Sequence, residues 1–445
     1  MINNKLVSLN KIEKFIESYQ YSKALLCFSQ NINELLSTPN IRGVYKVIAR
    51  IPKTYFKKAE HKLLYGWLCL EVNNNKGLKW VLAELDFSKM KSNQSRASYL
   101  ALSSMSLNIS RPEKGLYLTQ RALTYFEDGD ISIARANIYY NYAKQLTSCN
   151  LFYMASQNFY EAAKIFEAQK CYYFAITCYV NSFINKCNVG KYDDVVKECY
   201  DLLNNNTRLN NKLKQLIKLP LAICFYYKND LVKSIDLLLE VKKIIKNIAV
   251  PSYHILLMNY MIHIYLIQQR TNDVNNLLNE IKLNKMYQQM PAMKQLVIAT
   301  VIDKEILINR NVSKDSLKVL LDILNTAKFK APFYVIESLF RLKLLGKING
   351  LKIDSLLSHF SRARDIGNAS NIQSMALFLA DIYYNKGDSE KTKYHLEIAF
   401  KVYQHTGSVN SFYNRKLYCL ESLLELDKDF YNQVLLYNNN QRDLA

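Results

Sequence analysis

Glycine and proline are scarce in this chain of 445 residues, at 11 and 7 respectively. That scarcity excludes most β architectures, whose hairpins need turn residues at short intervals. The β-branched stretch Leu296 to Ile308 keeps a helical spacing rather than a two-residue alternation. Metal and redox spacings are missing as well. The nine cysteines include no CxxC, and an odd set of thiols on apolar faces reads as free core residues in a reducing cytoplasm. The six histidines, at positions 61, 254, 263, 359, 395 and 405, form neither HExxH nor a Cys/His quartet. No metal and no cofactor are therefore expected. Gly190-Lys191-Tyr192 and Gly346-Lys347-Ile348 lack both a glycine-rich loop and a following Ser or Thr, so no phosphate cradle is encoded. Asp193-Asp194 follows Gly190 and reads as helix-start chemistry favoured by the macrodipole, not as a general acid. With no nucleophile beside a base, no catalytic residue is named and a non-enzyme is expected. Long apolar runs are lacking too: Tyr253 to Ile267 is too short to cross a bilayer and carries His254, Asn259 and His263. Met1 to Phe15 has no signal-like apolar region. A cytoplasmic protein with no membrane partner follows.

What the chain does have is a repeat. A small or aliphatic residue, a bulky one four later and an apolar one three after that recur as Gly115/Thr119/Ala122, Ala155/Phe159/Ala162, Val195/Cys199/Leu202, Ser234/Leu238/Val241, Val274/Leu278/Ile281, Leu317/Leu321/Leu324, Leu356/Phe360/Ala363 and Thr392/Leu396/Ala399. The first members step by 40, 40, 39, 40, 43, 39 and 36 residues. Offsets of four and three put each set on one buried stripe of an α-helix. Turn chemistry precedes most stripes, at Ser110-Arg111-Pro112, Cys149-Asn150, Asn188-Val189-Gly190, Asn229-Asp230, Asn272-Asp273 and Gly387-Asp388. Each unit thus has a second helix upstream of its turn. Three upstream helices are expected to begin at Pro251, Pro291 and Pro332, since a first-turn proline loses no hydrogen bond. Helical pairs at this period are the signature of tetratricopeptide-like solenoids. The ladder continues towards the N-terminus at Ala24/Phe28 and Trp80, with an extra stretch from Ile41 to Lys58. The expected fold is an all-α, right-handed α-solenoid of about ten helical hairpins, with repeats of about 40 residues. Residues 1–100 would form irregular N-terminal repeats, 101–425 the regular tetratricopeptide-like superhelix, and 426–445 a C-terminal tail.

The net charge of +21 is uneven: residues 1–100 carry 16 basic and 7 acidic side chains, and residues 201–350 carry 22 and 11. Two basic zones of this kind attract acidic partners or nucleic acid. Against that, lysine replaces other solvated residues in a chain also rich in Asn, Ile and Tyr, and no basic run exceeds Lys57-Lys58 or Lys242-Lys243. Tyrosine is abundant, 33 in all, and clustered as Tyr139-Tyr140-Tyr142, Tyr172-Tyr173, Tyr226-Tyr227 and Tyr383-Tyr384. Neighbours on a helix point about 100° apart, so one member packs between repeats while the other turns towards a concave groove. Upstream helices should supply groove contacts. The candidate ligand- or partner-binding residues are Tyr140, Lys144, Asn259, His263, Asp381 and Tyr384, which fall off the apolar stripe on the inner side.

Arg50-Ile51-Pro52, Tyr55-Phe56 and His61-Lys62-Leu63-Leu64-Tyr65-Gly66-Trp67-Leu68 resemble the entry to the superhelical sensor region of MalT-type regulators, the large signal-transduction ATPases of the LuxR family. Arg121 to Ala143 is similar to the segment leading into that family's next repeats, and Ile398 to Leu424 resembles its terminal helix pair. The likeness runs over about residues 20 to 425. Family members add a nucleotide-binding module and a helix-turn-helix, which this chain does not display. The resemblance therefore implies the sensor region standing alone, receiving an inducer or a modulating protein. The expected function is a scaffold or sensor that binds a protein, peptide or small ligand in its groove and regulates transcription through protein contacts. Its partner would be a regulatory protein or peptide, such as a transcription factor or a component of the transcription machinery. The alternative is a solenoid that grips DNA or RNA with residues 1–100 and 201–350.

Overall fold

The computed structural model describes residues 7–36, 41–72, 74–107, 112–127, 129–205, 211–245, 251–284, 291–306, 312–327, 333–348, 352–414 and 417–443. Every regular element among them is helical, as the period demanded. The chain divides into two compact units: residues 1–186, 200–217 and 246–249 make the first, and residues 187–199, 218–245 and 250–445 the second.

The first unit contains α1 (Val7–Glu17), α2 (Tyr21–Gln30), α3 (Ile32–Leu36), α4 (Ile41–Ile48), α5 (Ala59–Glu71), α6 (Asn75–Ala83), α7 (Asn93–Ser106), α8 (Pro112–Leu123), α9 (Ile133–Ser148), α10 (Phe152–Ala168) and most of α11 (Tyr172–Asn188). The chain continues through α12 (Tyr192–Asn205) and the short α13 (Asn211–Lys214). The second unit holds α14 (Lys218–Tyr227), α15 (Leu231–Ile245), α16 (Pro251–Ile267), α17 (Thr271–Leu283), α18 (Pro291–Lys304), α19 (Lys314–Ala327), α20 (Phe333–Leu344), α21 (Ile353–Asp365), α22 (Ala369–Tyr384), α23 (Ser389–Thr406), α24 (Asn410–Tyr413) and α25 (Lys428–Asp443). Consecutive helices pack as hairpins: α7 with α8 and α9 with α10 in the first unit, α14 with α15 and α22 with α23 in the second.

The repeated stripes fall on α8, α10, α12, α15, α17, α19, α21 and α23. Six of the eight sets are buried at all three positions, Leu202 is half-buried, and so are Leu317 and Leu321. The side chain of Leu324 lies outside the described residues. Burying one such Leu or Phe contributes roughly 1.5–3 kcal/mol, which is why the period is kept so strictly.

The hairpin turns are set by backbone that few residues adopt. Asn150, Asn229, Gly190 and Gly387 have φ of 62°, 64°, 82° and 73°, the left-handed region that Asn and Gly tolerate best. One turn differs from expectation. Asn272-Asp273 already belongs to the first turn of α17, where Asp273 favours the helix dipole, and the left-handed residue is Gln269 at 54°. Pro251 and Pro291 open α16 and α18 as predicted. Pro332, together with Ser110 and Arg111, lies outside the described residues. Side-chain caps close several starts: Asn74 accepts from the Gly77 amide, Ser132 from Arg135, Asn368 from Asn371 and Asp388 from Lys391.

Residues 426–445, set apart from the repeats in the sequence, include α25, whose Phe430 and Val434 are buried. Phe430 stacks on Tyr403 at 4.0 Å and packs against Phe412 at 5.0 Å. Among the described residues, no helix is long and apolar enough to cross a membrane.

Candidate functional site

In the second unit the upstream helices α14, α16, α20 and α22 turn one face each towards a common cleft of about 390 Å³. Spacings of four residues put pairs of polar side chains on that face, one turn apart: Asn259/His263 from α16, Glu337/Arg341 from α20 and Ser370/Ser374 from α22. Tyr226, Tyr227 and Tyr260 form an aromatic corner, with ring centroids 5.0 to 6.2 Å apart. The Tyr260 hydroxyl donates to that of Tyr227 at 3.2 Å. Burial pushes all three phenols up from their ordinary value, so they stay neutral donors and acceptors.

A rim of asparagines completes the wall: Asn188, Asn368, Asn371, Asn410 and Asn414. The last two arrive by a long return of the chain. Asn410 Nδ2 donates to the Tyr226 carbonyl at 2.8 Å, the Val409 amide donates to the Tyr227 carbonyl at 3.1 Å, and Asn414 Nδ2 donates to Asn229 Oδ1. The side-chain bonds among these join residues 184 and 185 positions apart. They close what the sequence led us to expect as an open groove, because the residues after α23 pair with main-chain and Asn groups at the end of α14. The loop Gly190 belongs to the same closure. A Cβ there would meet Thr406 and lie 3.0 Å from the Ala369 Cβ.

Charge in the cleft is concentrated on α20. Arg341 Nη1 lies 2.7 Å from Asp303 Oδ1, and Arg341 Nη2 lies 3.9 Å from Glu337 Oε1. The Ser338 hydroxyl donates to Asp303 Oδ1 at 3.1 Å, and the Ser374 hydroxyl to Glu337 Oε1 at 3.2 Å. Burial pushes the Asp303 carboxyl up, opposed by Arg341 and His263. Burial lowers the Arg341 guanidinium, but Asp303 and Glu337 outweigh it and the group is held above its ordinary value. For Asp303 burial outweighs the attraction of its partner, and for Arg341 the attraction of the two carboxylates outweighs burial. Asn259 Oδ1 is buried yet has no hydrogen-bond partner among the described residues.

The six residues singled out in the sequence separate into different surroundings. Asn259 and His263 line the cleft. Asp381, on α22, is fully buried, and its Oδ1 accepts from the backbone amides of Tyr418 and Cys419 at 2.7 and 2.9 Å. Tyr384 is 43% exposed while its neighbour Tyr383 is buried, dividing that pair between solvent and core. In the first unit, Tyr140 packs edge-on against Phe159 and Phe174, with Lys144 Nζ 4.9 Å above its ring. Burial raises the carboxyl of Glu71 there, opposed by Lys144. Sequence reading missed Glu337, Arg341, Asp303 and the asparagine rim. Among the described residues, no group of three potential ligands is placed to hold a metal ion.

Fold and cleft define a helical-repeat protein with a polar pocket in its second unit. No family model matches the chain. No curated protein matches it either. Among solved structures, the crystal structure of the apo form of RapI aligns over 90% of this chain and 98% of that one, at 12% identity and a TM-score of 0.40. A likeness at that level adds nothing to the helices described above.

Proposed function

We propose that the second unit receives an extended, hydrogen-bonding ligand in its asparagine-lined cleft, a short peptide or a small polar molecule, and that the protein is a non-enzymatic regulatory scaffold. The observation that carries this reading is the Oδ1 of Asn259 on the cleft wall, buried and without a partner among the described residues. A buried acceptor without a donor costs about 1–3 kcal/mol, and a ligand N–H would recover it. Amides suit the task, since each offers donors and an acceptor and so matches the alternating groups of a main chain. The preformed walls hold down the ordering cost of binding.

Regulation of transcription through protein contacts, in a cytoplasmic setting, is the finer part of the proposal. Its support is the resemblance of residues 50–68, 121–143 and 398–424 to MalT-type sensor regions. The nucleic-acid alternative draws less support from zone 201–350 than its count of cations suggests. Lys218, Lys228 and Lys242 pair with Glu240, Asp193 and Glu280, and Arg341 pairs with Asp303.

A thermal-shift screen of the full chain against mixed short peptides tests the cleft. Binders should raise the melting temperature of the wild type and leave Asn259→Leu, which has no amide, unmoved. Equal shifts in both proteins would remove the cleft from the account. Capture from the protein's own cells should enrich a transcription-related protein, and a salt-titrated gel shift showing tight nucleic-acid binding at about 0.15 M salt would favour the alternative instead.

A further inference from the structure

The charge of the cleft runs against the charge of the chain. A protein of net charge +21 presents a pocket whose lining includes no lysine and one arginine. That arginine is committed: Arg341 sits 2.7 Å from the buried Asp303 carboxylate and 3.9 Å from Glu337. Two carboxylates therefore face one guanidinium, and among the described residues Glu337 is the charge left without a full counterion. It is held in place. Ser374 donates to its Oε1 at 3.2 Å, and the side chain is 19% exposed on the cleft wall. Across the same cavity stand the rings of Tyr226, Tyr227 and Tyr260. Tyrosine faces attract cations, and a partly desolvated carboxylate does so more strongly than one in water.

We propose that the cleft selects a ligand bearing a guanidinium or ammonium group, and that Glu337 receives this group beside the tyrosine corner. The proposal rests on the reading of the cleft as a ligand pocket and adds the sign of the ligand's charge. A ligand anion at this position would meet Glu337, with Arg341 beside it already paired to Asp303. The basic surface of the chain and the preference of its pocket thus have opposite signs, and the surface charge does not predict the ligand.

The test uses the full chain and three blocked pentapeptides of alanine and glycine whose central residue is arginine, citrulline or glutamate. Citrulline keeps the shape and most donors of arginine without its charge. At low salt, calorimetry should show the arginine peptide binding about tenfold or more tightly than the citrulline peptide, as expected for one half-buried charge pair. The glutamate peptide should bind most weakly. In Glu337→Gln, which keeps the size of the side chain and an acceptor for Ser374, the arginine and citrulline affinities should converge to within about twofold. Equal affinities in the wild type overturn the charge preference while leaving the pocket reading intact. Failure of all three peptides to bind at millimolar concentration overturns both. The wild-type comparison stands alone should the variant fold poorly.

Discussion

The two units are built from the same hairpins and stabilise them differently. Side-chain hydrogen bonds in the first unit reach one repeat along the chain: Gln145 to Ser104, and Thr147 to Asn185 at 3.1 Å, join residues 41 and 38 positions apart. The second unit has bonds of that reach, such as Ser338 to Asp303, and adds those of Asn410 and Asn414, which reach back 184 and 185 residues to the end of α14. Nearest-neighbour stacking makes a repeat array whose stability is close to a sum of local terms. A long-range return couples distant repeats and turns a surface into a pocket. The interior chemistry follows suit. Around Tyr140 the first unit packs aromatic rings, with Lys144 over the ring face. The second unit lines its cleft with amides and hydroxyls.

The largest expected way to break this difference is Asp381→Ala. Its fully buried carboxylate holds the Tyr418 and Cys419 amides, and removing it leaves both donors and a void, at a cost of about 4 kcal/mol. Both tryptophans, Trp67 and Trp80, lie in the first unit, so their fluorescence reports that unit while far-UV circular dichroism reports all helices. In urea the variant should lose part of its helical signal well before the tryptophan transition. Coincident, unshifted transitions would show that Asp381 does not hold the second unit.

Acid should act next in size. His395 is sandwiched with its ring parallel to Tyr383 at 5.5 Å and edge-on to Phe360 and Tyr394. Burial, and then Arg364, lower its pKa from 6.5 to about 4. A group depressed in the folded state contributes stability that is present above its unfolded pKa and drains away as pH falls towards the folded one. The second unit should therefore weaken from pH 6.5 towards 4, by at most roughly 3 kcal/mol. His395→Phe should flatten that slope. An unchanged slope in the variant would assign the acid sensitivity to other groups.

The helices were legible because their signal is the step of about 40 residues itself, taken seven times between eight stripes; the pocket was legible only in fragments. His263, Asp303, Arg341 and Asp381 occupy one rung per repeat, stepping by 40, 38 and 40 residues on successive upstream helices. Two of these four were picked out for lying off the apolar stripe. The other two could have been found by carrying His263 forward by one and two repeats. The rungs do different work: Asp303 and Arg341 pair with each other, whereas Asp381 turns to the backbone beyond α23. Period locates a face but not the partner waiting there. The asparagine rim was out of reach altogether, because Asn410 and Asn414 meet α14 through a return that no local pattern records.

That return supplies the smallest and most selective prediction. Gly190 has φ of 82°, where an added Cβ is strained, and this Cβ would also press on Thr406 and sit 3.0 Å from the Ala369 Cβ. Gly190→Ala should cost about 2 kcal/mol from these two sources. The strain is local to the turn between α11 and α12, but the clash is with the last hairpin, so the two parts separate experimentally. In Thr406→Ser the crowding Cγ2 is gone while the hydroxyl that bonds to the Val402 carbonyl at 2.8 Å is kept. Pairing it with Gly190→Ala should restore part of the lost stability, with a coupling of about 1 kcal/mol in a double-mutant cycle. Amide exchange at Asn410–Tyr413 should rise in the single Gly190→Ala variant and fall back in the double. Additive effects with no change in exchange would mean that this glycine serves its own turn alone, and that closure of the second unit rests on the Asn410 and Asn414 bonds without it.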